Sequence, residues 1–176
     1  APQYIEPEII VREKNGISYI ETSDNIRPEL TINQDYAKIA ESAKGADKTL
    51  LQAQLQEARW FLTAIDKRAD TIRRVAHIIV ALQQDFFQEG EAAMRPLSRQ
   101  KVAEMLDIHE STVSRAVNGK YLMCKRGIYE LRYFFSAQLE NSEGDDQSII
   151  AIKALIAEII NGEKPEKPLS DQKITD

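Results

Sequence analysis

Between Gly45 and Gly90 the chain has neither glycine nor proline, and its apolar residues recur in alternating steps of four and three. Leu51, Leu55, Ala58, Leu62, Ile65, Ala69, Ile72, Ala76 and Ile79 form that series, while Arg59, Asp66, Lys67, Asp70, Arg73 and Arg74 fall off it. A 3.6-residue repeat brings such positions onto one face, so the spacing predicts a single amphipathic helix over 47–90, about 40 residues and ~60 Å long. A stripe of this kind is a seam against another helix or domain. It also suits a lever that holds a reading head at a fixed distance, and the two roles are compatible.

The segments around this helix are shorter. Ile9, Ile10 and Val11, then Asn15-Gly16, then Ile17, Tyr19 and Ile20 predict a β-hairpin, because an Asn-Gly turn tolerates positive φ at both central positions. Asn33 can cap a short helix from Gln34 to about Lys44, closed by Gly45. An isolated hairpin is marginal, so this region is expected to pack on something, a partner protein included. Glu91 to Arg95 reads as a connector, Asn141 to Ser148 as a polar, acidic linker, and Ile149 to Ile160 as a buried helix stopped by Gly162. The fold class expected is mainly α: a short N-terminal β-hairpin, one long amphipathic helix, a helix-turn-helix head and a C-terminal helix. The expected divisions are 1–46, 47–90, 91–138 and 139–176.

The helix-turn-helix occupies residues 96–119. Ser98 is its N-cap candidate, and a first helix from Arg99 to Leu106 turns Val102, Ala103 and Leu106 inward. Asp107-Ile108-His109 makes the turn, with Asp107 where glycine often stands, and His109 is expected to cap the second helix rather than touch phosphate. That second helix runs from Glu110 to Asn118, with Val113, Ala116 and Val117 inward and Gly119 at its left-handed end. Ala103 sits where the helices cross, a place that requires a small side chain. Ser111, Arg115 and Asn118 recur outward at steps of four and three, with Ser114 beside them. In a major groove Arg can bridge guanine O6 and N7, and Asn can bridge adenine N6 and N7. Thr112 and the first amides suit phosphate, and Lys120, Lys125 and Arg126 are expected to clamp the DNA backbone.

Charge supports a local interface only. The chain has 23 Lys+Arg against 28 Asp+Glu, net −5, which argues against nucleic-acid binding by the whole surface. Yet between Ser111 and Tyr133 the bases are Arg115, Lys120, Lys125, Arg126 and Arg132, and the only acid is Glu130. The lone Cys124 forms no internal disulfide, and no apolar run approaches the roughly 20 residues of a membrane span. A cytoplasmic protein is expected, not an enzyme, with no cofactor, metal or membrane. Neither histidine has a catalytic partner in sequence, and His77 is expected to pack beside the seam.

Several runs closely resemble the bacterial sigma-54 transcription factors: Arg95-Pro96-Leu97-Ser98, Val102-Ala103, His109-Glu110-Ser111-Thr112-Val113-Ser114-Arg115, Lys120-Tyr121 and Gly127 through Ser136. Ala58-Arg59-Trp60, Arg68, Thr71-Ile72 and Gln84-Asp85-Phe86-Phe87 resemble that family's extra-long helix, and Pro7 with Asn15-Gly16 resembles the segment before it. The resemblance implies a subunit that directs core RNA polymerase to promoter DNA, with the helix-turn-helix on the start-proximal element. It implies Ser114 and Arg115 as recognition residues. It also implies opening by an AAA+ ATPase activator, which carries the ATP chemistry. Nothing resembles the family's glutamine-rich regulatory region or its main polymerase-binding domain. Lys167-Pro168-Leu169-Ser170-Asp171-Gln172-Lys173-Ile174 echoes Arg95 through Val102 and is read as the start of a second helix-turn-helix whose recognition helix is missing. On that reading the chain is a fragment that does not recruit polymerase alone. The alternative from another class is a repressor-like DNA binder dimerised through Leu51–Ile79.

Overall fold

A computed structural model of the chain describes residues 5–135, 138–139 and 147–162. Most of the expected acidic linker and the echo at Lys167–Ile174 lie outside the described residues.

Strands β1 (Ile9–Lys14) and β2 (Ile17–Thr22) form the expected hairpin, with φ +54° at Asn15 and +75° at Gly16. Those paired positive values are what a two-residue turn needs to match the twist of the strands. Helix α1 (Gln34–Ser42) starts at Asn33, whose side-chain oxygen accepts from the Asp35 amide at 2.9 Å. Gly45 does not close it. Ala43 ends α1 by donating to the Ile39 carbonyl, and Gly45, at φ +65°, opens the next helix.

That helix, α2 (Gly45–Leu82), has 38 residues. Of the seam, Leu51, Ala58, Leu62, Ile65 and Ala69 are half-buried, Leu55 is buried under α1, and Ile72, Ala76 and Ile79, beside Val75 and Val80, are buried in the head's core. A self-pairing seam is therefore not required to cover the buried ones. The expected continuation to Gly90 is interrupted at Gln83 (φ −109°, ψ 28°), after which α3 (Gln84–Glu89) begins. No helix breaker marks the site. The fully buried Gln83 amide instead grips the connector, accepting from the Arg95 amide at 2.9 Å and donating to the Arg95 carbonyl at 2.7 Å. His77, expected to pack beside the seam, is exposed.

Helix α4 (Arg99–Leu106) follows as the sequence predicts, and α5 (Glu110–Val117) ends one residue short of the expected Asn118, whose backbone is extended at φ −73° and ψ 124°. Beyond them lies a hairpin that the helical reading missed: β3 (Tyr121–Cys124) and β4 (Gly127–Glu130), joined at Lys125-Arg126. The N-terminal hairpin packs on this wing. Strand β1 pairs in parallel with β3, Ile9 opposite Leu122, and completes a four-stranded sheet of order β2-β1-β3-β4. Leu131 and Phe134 in the turn after β4 are buried against α3 and the rest of the core.

Short strands β5 (Gln138–Leu139) and β6 (Gln147–Ser148) pair antiparallel before α6 (Ile149–Asn161). Ser148 caps α6 by accepting from the Ile150 amide, and Gly162 ends it. The expectation that this helix is buried fails. Ala151 alone is buried on it, and Leu155, Ile159 and Ile160 are 42%, 41% and 51% exposed. Among the described residues no helix is long and apolar enough to cross a membrane.

Candidate nucleic-acid interface

Helix α4 begins where the Ser98 hydroxyl accepts from the Lys101 amide at 3.1 Å, and Val102 and Ala103 turn into the core. It ends at Asp107, left-handed at φ 53° and ψ 51°, a conformation Asp tolerates better than most side chains. The reversal lets the Ile108 amide reach the Ala103 carbonyl at 3.0 Å and delivers His109 as the cap of α5. The His109 Nδ1 accepts from the Ser111 amide at 3.1 Å, so the expected capping role is present. At the far end the Glu130 carboxylate accepts from the Gly119 amide at 2.9 Å, and Gly119 has the left-handed φ of +62°.

Val113, Ala116 and Val117 bury the inner face of α5. On the other face Arg115 and Asn118 are exposed, and Ser111, Thr112 and Ser114 are half-buried. Neither the Arg115 nor the Asn118 side chain has a partner among the described residues. The structure thus places Ser111, Thr112, Ser114 and Arg115 on one short helix, held at both ends, with Asn118 extended just past its last residue.

The three bases expected to clamp DNA are held differently. Lys120 Nζ lies 2.8 Å from the Glu8 carboxylate, with side-chain exposures of 20% and 11%. Lys125 Nζ pairs with Glu13 at 2.7 Å. Arg126 donates to the Phe87 and Gln88 carbonyls and lies over Gly90. All three tie the wing to other parts of the chain. Glu8 deserves the most weight among residues that the sequence did not single out. Its carboxylate also accepts from the Tyr121 amide at 2.9 Å, and its own amide donates to the Tyr121 carbonyl at 3.1 Å.

Arg74 was likewise missed as more than an off-stripe charge. From α2 its guanidinium donates to the Leu106 carbonyl at 3.0 Å, fastening the long helix to the end of α4. Carbonyls in the last turn of a helix lack partners within it, so a cation there is doubly suited.

Residues 48–176 match the family model described as Sigma-54, DNA binding domain. The chain belongs to the sigma-54 family. It is 42% identical over 175 residues to the RNA polymerase sigma-54 factor of Salmonella typhimurium, covering 99% of this chain and 37% of that protein. With the Azotobacter vinelandii RNA polymerase sigma-54 factor it shares 44% over 174 residues, covering 98% and 35%. The chain thus spans little more than a third of the length of these relatives. The crystal structure of Aquifex aeolicus sigmaN bound to promoter DNA aligns with a TM-score of 0.65 at 29% identity, covering 99% of this chain and 52% of that one.

In this sigma-54 family chain two of the runs that resemble the family meet in space. Phe86 packs edge-on against Phe134 at 5.1 Å and Tyr129 at 5.3 Å between ring centres, so Gln84–Phe87 and Gly127–Phe135 share one aromatic cluster. Gln84 supplies the polar half of the motif. Its amide accepts from the Ser18 amide at 2.8 Å and donates to the Ser18 carbonyl at 2.9 Å, as a neighbouring strand would. Tyr133 donates to Glu91 at 2.7 Å. Burial first, and then that bond, hold its phenol protonated well above the usual tyrosine range.

Proposed function

We propose that this chain reads promoter DNA as part of a sigma-54 type transcription initiation factor that directs RNA polymerase to promoters, with α4 and α5 at the start-proximal element. The observation that carries the reading is the outward face of α5. Arg115 is exposed there, and Asn118 just past the helix end, both without a partner among the described residues, flanked by Ser111, Thr112 and Ser114. The names of the relatives and the promoter-bound state of the Aquifex protein support it. In this reading Arg115 addresses guanine, Asn118 addresses adenine, Ser114 lies between them, and Thr112 with the first amides of α5 faces phosphate. Lys125, with its side chain 73% exposed, can exchange Glu13 for a phosphate without opening the fold. Lys120 and Arg126 serve mainly to keep the wing in place. Core RNA polymerase and an AAA+ ATPase activator are the further partners this reading brings, in a cytoplasmic setting, and the ATP chemistry belongs to the activator.

The test is binding of the chain to duplex and forked promoter probes. Arg115→Ala is expected to weaken binding and relax base preference by ~1–3 kcal/mol. Lys125→Ala is expected to weaken all sequences about equally and to lower the salt dependence. Unchanged affinity and preference in Arg115→Ala would overturn the assignment of α5 as the reading face.

A further inference from the structure

His109 meets Ser111 twice. Its Nδ1 lies 3.1 Å from the Ser111 amide nitrogen and 2.8 Å from the Ser111 hydroxyl oxygen. A backbone amide can only donate, so Nδ1 carries a lone pair and the single proton of the neutral ring sits on Nε2. Facing an unprotonated Nδ1, the hydroxyl can approach only as a donor, with its hydrogen turned back toward the imidazole. The Ser111 oxygen then offers lone pairs alone to whatever lies outside α5.

Resting on the proposal that α5 faces DNA, we infer that His109 is a positioning residue that fixes Ser111 as a hydrogen-bond acceptor toward the major groove. Ser111 thereby selects a base amino group, adenine N6 or cytosine N4, over guanine O6 and thymine O4. A free serine hydroxyl rotates to suit either partner and discriminates little. The tether to His109 removes that freedom.

The experiment uses a duplex selected from a random-sequence pool by the chain itself. Each adenine in it is replaced in turn by purine, and each cytosine by 2-pyrimidinone, so that one amino group is removed at a time. At one position the loss is expected to cost the wild-type chain about fivefold in affinity at about pH 8, the size of one hydrogen bond, and to cost Ser111→Ala nothing. The ratio should fall toward one in His109→Gly, which keeps an acceptable helix start but leaves the Ser111 hydroxyl free to rotate. Using the ratio of two probes cancels any general change in DNA affinity that the substitution brings. A ratio unchanged in His109→Gly, or an amino group sensed equally by Ser111→Ala, overturns the inference. Arg115→Ala on the same duplex separates the two levels. If it weakens binding while Ser111 senses no amino group, only the role of His109 fails; if it too changes nothing, the DNA-facing assignment of α5 fails with it.

Discussion

Gln83 shows how much one side chain decides here. It lies within a helical stretch, and its sequence neighbours give no sign that the helix should end. Yet both polar ends of its buried amide are spent on the Arg95 backbone. Gln83→Ala removes both partly buried bonds to the Arg95 backbone and leaves a gap where the buried side chain stood, and is expected to cost ~1–3 kcal/mol in urea unfolding. Asp107 is a smaller case, since its left-handed backbone suits glycine at least as well. Asp107→Gly should be neutral or stabilising by up to ~1 kcal/mol, whereas Asp107→Val should destabilise by ~1–2 kcal/mol, both read from thermal melts. Tyr133 gives a pH signature. Its folded-state pKa is raised above the ordinary tyrosine value of 10.0, so the unfolded chain releases the proton first as pH rises. The stability due to Tyr133 is complete below pH 10.0 and declines above it, while the unfolded phenol is ionised and the folded one still holds its proton. Alkaline unfolding of Tyr133→Phe should accordingly show a weaker dependence on pH.

The elements were legible where their signals are local. The Asn15-Gly16 turn, the Asn33 and Ser98 caps and the inward residues of α4 and α5 all stand where hydrogen bonding and periodicity put them. The wing was not legible in the same way. Tyr121–Cys124 and Gly127–Glu130 are four residues each, too short for alternation to stand out, and their basic turn drew attention as a DNA clamp. The structure shows why Arg126 stands there: it bridges the Phe87 and Gln88 carbonyls across Gly90. A Cβ on Gly90 would lie 2.9 Å from the Arg126 guanidinium, and its φ of +106° strains any L side chain. Gly90→Ala should lower stability by ~1–3 kcal/mol and loosen the wing, which hydrogen exchange at the Leu122 and Tyr129 amides would report.

At the scale of the whole molecule, the sheet joins residues that the sequence reading assigned to different units. Strand β1 belongs to the expected 1–46 segment and β3 to the expected 91–138 head, yet they pair directly. Glu8 and Lys120 lock that joint with one ion pair and two backbone-linked hydrogen bonds. Glu8→Ala removes one partner of a largely buried pair and is expected to cost ~2–3 kcal/mol. Amides of β1, β3 and α5 should then lose exchange protection together. Loss confined to β1 and β2 would show that the hairpin is an appendage rather than part of the head.

The helix-turn-helix with which DNA reading is proposed was determined by the sequence alone, because caps, turns and 3.6-residue spacing act within a few residues. The long helix was determined nearly as well, by the absence of any breaker over its length. Its end at Leu82 was not, since that depends on Arg95 coming within reach of Gln83. The fate of the basic residues was decided by tertiary structure too. Arg115 is left outward, while Lys120, Lys125 and Arg126 meet acids and carbonyls from segments distant in sequence. Charge is written in the chain, but which charges remain free to meet a partner is fixed only when the chain has folded on itself.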